Sequence, residues 1–171
     1  MLQLLDKEEF HRVYEIMEKS FPKEEIRSYE GQRALLERED YRLYGETELS
    51  GKVVGFLAVW ELSGILFIEH FAVEAEARNC GLGSRLLREL QDRYALPMCL
   101  EVELPTDELT RRRIGFYERN GFAFNDFPYK QPSLGEGRDP VPLRLMTTGG
   151  GLQPEEFQRV RELLYTMVYG V

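Results

Sequence analysis

The feature that most limits what this chain can fold into is residues 65–90, ILFIEHFAVEAEARNCGLGSRLLREL. The unbroken apolar run 65–73 has the content of a buried strand. A charged turn (74–77) and the loop Arg78-Asn79-Cys80-Gly81-Leu82-Gly83-Ser84 hand that strand to a helix. The helix carries Leu82, Leu86, Leu87, Leu90 and Tyr94 as one stripe that must pack on a sheet. Gly81 and Gly83 remove Cβ atoms where successive main-chain N–H groups can approach a ligand closely. The first amides of a helix lack internal acceptors, and the helix dipole adds partial positive charge there. Such a mouth suits a phosphate or pyrophosphate, and Arg78 contributes a full charge. A P-loop is excluded because no Gly-Lys-Ser/Thr occurs, and a dinucleotide fingerprint would need glycine where Leu86 stands. An ordinary connection with helix-start glycines would use the same residues, so the loop alone does not decide.

The remaining elements follow in order. Residues 2–5 form a short strand, and Asp6 with Glu9 reads as a capping box ahead of a helix bearing Phe10, Val13, Tyr14 and Met17. His11 falls on the outer surface of that helix. Pro22 ends it, and a more charged helix spans 29–38. Strands at 41–48 and 53–60 make a hairpin through Leu49-Ser50-Gly51-Lys52. Beyond the glycine loop and its helix, 97–104 reads as a strand parallel to 65–73, joined by a right-handed crossover. A helix over 107–120 ends at Asn120-Gly121. Strands at 122–127 and 141–146 flank a Pro/Gly/Ser-rich loop, 131–140. A final helix over 152–168 has Phe157, Val160, Leu163, Leu164 and Met167 at helical spacing, a stripe that must be buried somewhere.

With 171 residues, one domain with a full core is expected. The net charge of −8 argues against nucleic acid and leans toward cationic partners. The two cysteines, Cys80 and Cys99, have neither disulfide-framework nor metal-ligand spacing, so no metal site is expected. No apolar run reaches membrane-spanning length and Met1-Leu2-Gln3 opens no signal peptide, which points to a cytoplasmic protein without membrane contact.

The pattern R-x-x-G-x-G after a strand ending in Ala72-Val73 resembles the pyrophosphate loop of the GNAT superfamily, the acyl-CoA-dependent N-acyltransferases. Asn79 replaces the usual glycine after the arginine and also tolerates positive φ. Ile114-Gly115-Phe116-Tyr117-Glu118-Arg119-Asn120-Gly121-Phe122 resembles the family's second signature, and the two stand in the family's order. The resemblance covers about residues 2–146. It implies an α/β fold with a mixed, mostly antiparallel sheet of six to seven strands, splayed between strands 4 and 5 and flanked by helices. Residues 1–148 would form the acyltransferase domain. Residues 149–171 would add a C-terminal helix, either part of that domain or an oligomer contact, as in a homodimer.

The same resemblance implies acetyl-CoA as cosubstrate. Its pantetheine arm would pair with Phe71, Ala72 and Val73, and its pyrophosphate would lie on Arg78, Asn79, Cys80, Gly81, Leu82, Gly83 and Ser84. The segment 21–38 would line the pocket for a small-molecule or peptide amine. Transfer by direct attack needs a neutral amine, a donor for the oxyanion and a proton for the departing thiolate. Tyr117 stands at the family's position for the acid, and the Val73 N–H is the expected oxyanion donor. The base is open among Glu69, Glu101 and His70. Glu69 and His70 point to opposite sheet faces unless a bulge intervenes. The alternative to an enzyme is a GNAT-like module that binds acyl-CoA or a peptide without turnover.

Overall fold

The structure, a computed structural model, describes residues 1–171. Seven strands form one sheet in the order β1-β2-β3-β4-β5-β7-β6. In chain order the elements are β1 (Gln3–Leu4), α1 (Phe10–Ser20), α2 (Tyr29–Ala34), β2 (Tyr41–Thr47), β3 (Val53–Leu62), β4 (Ile65–Val73), α3 (Leu82–Arg93), β5 (Met98–Glu103), α4 (Glu108–Arg119), β6 (Phe122–Gln131), β7 (Val141–Thr148) and α5 (Pro154–Leu164). Every pairing is antiparallel except β4 with β5, which the α3 crossover makes parallel. No helix is long and apolar enough to cross a membrane.

The sheet divides two apolar clusters. On one face Phe10, Val13 and Met17 of α1 pack with Phe56, Trp60 and Phe67, joined by Phe157, Leu164 and Val168 from the end of the chain. On the other, Leu82, Leu86, Leu87 and Leu90 of α3 and Ile114 of α4 cover Leu57, Leu66, Leu100 and Met146. The 3.6-residue stripes of α1 and α3 are thus buried as their sequences require. In the final helix Phe157 and Leu164 are buried and Met167 is exposed.

Several boundaries differ from the sequence reading for local reasons. Asp6 caps a turn, not α1: its carboxylate accepts from the Glu8 N–H (2.8 Å) while Glu9 accepts from the Asp6 N–H (2.9 Å), and the helix starts only at Phe10. The second helix breaks after six residues into a 3₁₀ turn, Leu35–Glu37. Tyr94 lies just past α3 in extended conformation, where its hydroxyl meets Tyr44 and Glu61. Strand β6 runs on to Gln131 through an irregular register between Asn125 and Tyr129. Asp107 does cap its helix, accepting from the Thr110 N–H at 2.8 Å.

Strand β4 itself departs from regular pairing in two places. The β4–β5 ladder holds only from Leu66↔Met98 to Ile68↔Leu100, then opens. In the β3–β4 ladder Ala58 pairs with His70 and Val59 with Ile68, leaving Glu69 as the extra residue of a bulge.

Candidate active site

Where β4 and β5 part, a cavity of about 550 Å³ runs through the sheet. One wall is Phe71, Ala72 and Val73, and the other is Glu101, Val102 and Glu103. The Glu74 N–H donates to Val54 O (2.8 Å). The alternation of an antiparallel ladder therefore turns the N–H and C=O of Val73 and Phe71 away from β3, into the split. A strand edge turned away from its neighbour in this way accommodates an amide-bearing chain laid alongside it.

At one end of the cavity is the mouth of α3. Asn79 (φ 63°) and Gly81 (φ 79°) both take left-handed backbone, which curls the loop so that its amides converge. Gly81 at the N-cap offers no side-chain acceptor, so the first amides of α3 are free for a ligand. A Cβ on Gly83 would meet the rings of Phe116 (3.3 Å) and Phe71 (3.5 Å), so a side chain there would crowd the split. Arg78 anchors its Nε on Val73 O (2.9 Å) and lines the cavity. These residues fit the diphosphate and pantetheine of a coenzyme A.

Tyr117 borders the same cavity from α4, its ring edge-on to Phe71, Phe116 and Phe122. Burial pushes its hydroxyl up to about 12, which keeps the phenol protonated near neutral pH. The opposite side is acidic. Glu25, Glu101 and Glu103 line it, and Glu103 is paired with Arg113 at 2.6 Å. Burial pushes Glu101 up to about 7 against the pull of two phenol donors, Tyr129 (2.6 Å) and Tyr169 (2.7 Å). Glu25 is also raised to about 7, by burial and then by Glu103, with Arg113 opposing.

Glu25 owes its place to an unusual clamp. The carbonyls of Glu24, Glu25, Ile26 and Arg27 accept in turn from Gln131 Nε2 (2.9 Å), His70 Nε2 (2.7 Å), Arg138 Nε (2.7 Å) and Tyr14 OH (2.8 Å). Four side chains from separate parts of the chain thus fix a segment that has almost no regular structure of its own.

The model of the Acetyltransferase (GNAT) family matches residues 10–122. The chain belongs to the GNAT acetyltransferase family. "Putative acetyltransferase YjbC" of Bacillus subtilis (strain 168) is 35% identical over 126 residues, spanning 71% of this chain but only 62% of that curated relative. A solved structure described as a "Putative acetyltransferase from GNAT family" from Bacteroides thetaiotaomicron superposes with TM-score 0.86 at 34% identity, over 100% of this chain and 99% of that one. An aminoglycoside 6'-N-acetyltransferase complexed with coenzyme A shares the fold at 15% identity (TM-score 0.68; 86% and 96% covered).

In this GNAT chain, Phe71, Ala72, Val73, Arg78, Asn79, Gly81, Leu82, Gly83, Ser84, Glu101 and Tyr117 converge on one cavity. Three expected site residues do not. Cys80 is exposed and turns its thiol back onto Ala77 O (2.8 Å), which leaves only its main-chain amide to serve the loop. The bulge puts Glu69 and His70 on the same face, but both are sealed behind the wall, each side chain 2% exposed. Glu69 is committed to Arg27 (2.8 Å) and the Trp60 indole (3.3 Å). Burial pushes its carboxyl up, but Arg27, His70 and Trp60 outweigh that and hold it below the usual range. Burial pulls the His70 imidazole down, and its Nε2 holds the Glu25 carbonyl. Glu25 and the phenol of Tyr169 were the residues that sequence reasoning missed. The only signal for Glu25 was its place in the expected acceptor segment, and for Tyr169 there was none.

Proposed function

We propose that this GNAT acetyltransferase moves an acetyl group from acetyl-CoA to a primary amine by direct attack. The observation that carries the reading is the opening in the β4–β5 ladder, which brings a helix mouth suited to an anion, a half-buried phenol and a wall bearing Glu25 and Glu101 to one cavity. The thioester supplies the activated acyl group when bound.

The chain's residues divide the remaining work by sheet face. The amides of residues 79–84 and Arg78 hold the diphosphate, and Phe71 and Val73 pair with the amide groups of the arm. The amine arrives from the α1 face, against Glu101 and Glu25. Glu101 takes the ammonium proton at a carboxylate oxygen; its position near 7 suits a base that must accept and then release that proton. The Val73 N–H donates to the acyl oxygen as negative charge builds there, a contribution of about 3 kcal/mol for one well-placed donor. Tyr117 gives its proton to the departing sulfur, and the proton that the newly acylated nitrogen sheds restores the phenol, so the net proton leaves through Glu101. The apolar rings around Tyr117 keep bulk water from competing for the acyl group.

The test is thiol release from acetyl-CoA across monoamines, polyamines, aminoglycosides and peptide amines, with Tyr117→Phe alongside. The variant should lose about 100-fold or more in kcat while binding coenzyme A as the wild type does in calorimetry. No thiol release with any amine, coenzyme A binding intact, would leave a binding module instead.

A further inference from the structure

The C-terminal segment lies outside the family-matched residues 10–122, yet one of its side chains reaches the cavity's carboxylate. After α5 the helix does not stop but widens into a π-helical turn, Tyr165–Tyr169. Such turns are rare and frequently mark functional sites. This one is pinned at several points. Leu164 and Val168 are buried in the core, and Tyr165 OH donates to Lys130 O (2.6 Å). Arg27 Nη2 donates to Val168 O (3.4 Å). Gly170, at φ 69°, lets the chain close with the Val171 N–H on Tyr165 O (3.0 Å). Val168 and Tyr169, adjacent in sequence, thereby both turn inward, one onto the core and the other onto Glu101.

We propose that Tyr169 is a positioning residue: with Tyr129 it grips the two oxygens of Glu101 and aims the carboxylate into the acceptor side of the split, making residues 165–171 part of the working site. The bonds fall on different oxygens, Tyr169 to Oε1 at 2.7 Å and Tyr129 to Oε2 at 2.6 Å. One donor alone would leave the carboxyl free to swing about its last torsion; two donors fix its plane. Each oxygen keeps a lone pair, so the grip orients Glu101 without consuming its capacity to take a proton. The other titratable groups facing Glu101 are Glu69 on β4, Glu25 on the clamped segment, and the neighbouring Cys99 and Tyr165. Glu69 and Glu25 push the carboxyl toward its neutral form, as burial does; the two phenols are what favour the charged form. The C-terminal turn therefore supplies one of the two donors that keep Glu101 ionisable.

The inference rests on the reading of Glu101 as the base, and the experiment separates the two. In full-length Tyr169→Phe the ring and its packing remain and only the donor is lost. Its kcat/KM profile should keep its shape while the acidic limb moves up by about one pH unit. The rate then falls about fivefold at pH 7 and rejoins the wild type near pH 9. Tyr129→Phe should shift the limb the same way. In parallel, 13C NMR of glutamate-labelled protein follows the Glu101 carboxyl directly, its resonance assigned by its loss in Glu101→Gln. That titration should move up with the kinetic limb, and Tyr169→Phe should change nothing further in a Glu101→Gln background. An unmoved Glu101 titration in Tyr169→Phe, or an equal rate loss at every pH, overturns the proposal. If Glu101→Gln keeps wild-type turnover while Tyr169→Phe still moves the Glu101 resonance, Glu101 is not the base but Tyr169 does position it.

Discussion

Glu25 and Glu101 reach the split from different elements and have opposite surroundings. Glu101 is gripped by two phenols, whereas Glu25 is placed by its main chain, its carbonyl held by His70. Glu25 is among the groups that lift Glu101. Glu25→Gln should therefore lower the acidic limb of kcat/KM by about a few tenths of a unit, opposite in sign to the loss of Tyr169's donor. It should act on stability as well. A carboxyl raised from 4.5 to about 7 keeps a proton in the folded state that the unfolded chain has released, so its contribution is present below about pH 4.5 and lost as pH rises through about 7. Denaturant melts at pH 5 and pH 8 should show a smaller fall in stability for Glu25→Gln than for the wild type. Glu69 works the other way: Arg27 stabilises its charged form, and that contribution is lost as pH drops.

At the scale of elements, the site depends on two departures from regular structure in β4. The strand stops pairing with β5 after Ile68, and the bulge at Glu69 resets which residues face which helix. Without the bulge, Phe71 and Val73 would face α1; with it they face α3 and α4, beside Phe116 and Tyr117. The glycine loop completes that wall. Gly83→Val should weaken coenzyme A at least tenfold in calorimetry, because its methyls would enter the space bordered by Phe71 and Phe116. The stripe of α3 is untouched, so Tm should fall by only about 4 °C or less.

Across the whole molecule, Arg27 is the joint that ties distant parts of the chain. It pairs with Glu69 on β4 and donates to Val168 O in the C-terminal turn, while its own carbonyl accepts from Tyr14 of α1. Arg27→Met should cost about 3–5 kcal/mol in urea denaturation, since it strands a buried carboxylate. Arg27→Met combined with Glu69→Leu should recover most of that loss, the charge having gone with its partner.

The parts of this protein whose cause is local can be read along the chain alone. The strand, the glycine loop and the α3 stripe lie within residues 65–90, the Tyr117 helix is marked by its own Asp107 cap and Asn120-Gly121 end, and each was legible because spacing and backbone freedom act over a few residues. Which carboxylate faces the split was not, and Glu69 shows why. Its alternation along the strand was readable, but the bulge that overrides it arises from pairing with β3, and the guanidinium that seals it comes from residue 27. Glu25 and Tyr169 were out of reach for the same reason. The clamp on residues 24–27 draws on residues 14, 70, 131 and 138, and Tyr169 meets Glu101 across 68 residues of chain. Local propensity places a side chain on an element, but only the packing of elements against one another decides whether a buried acid is paired off or left facing a ligand.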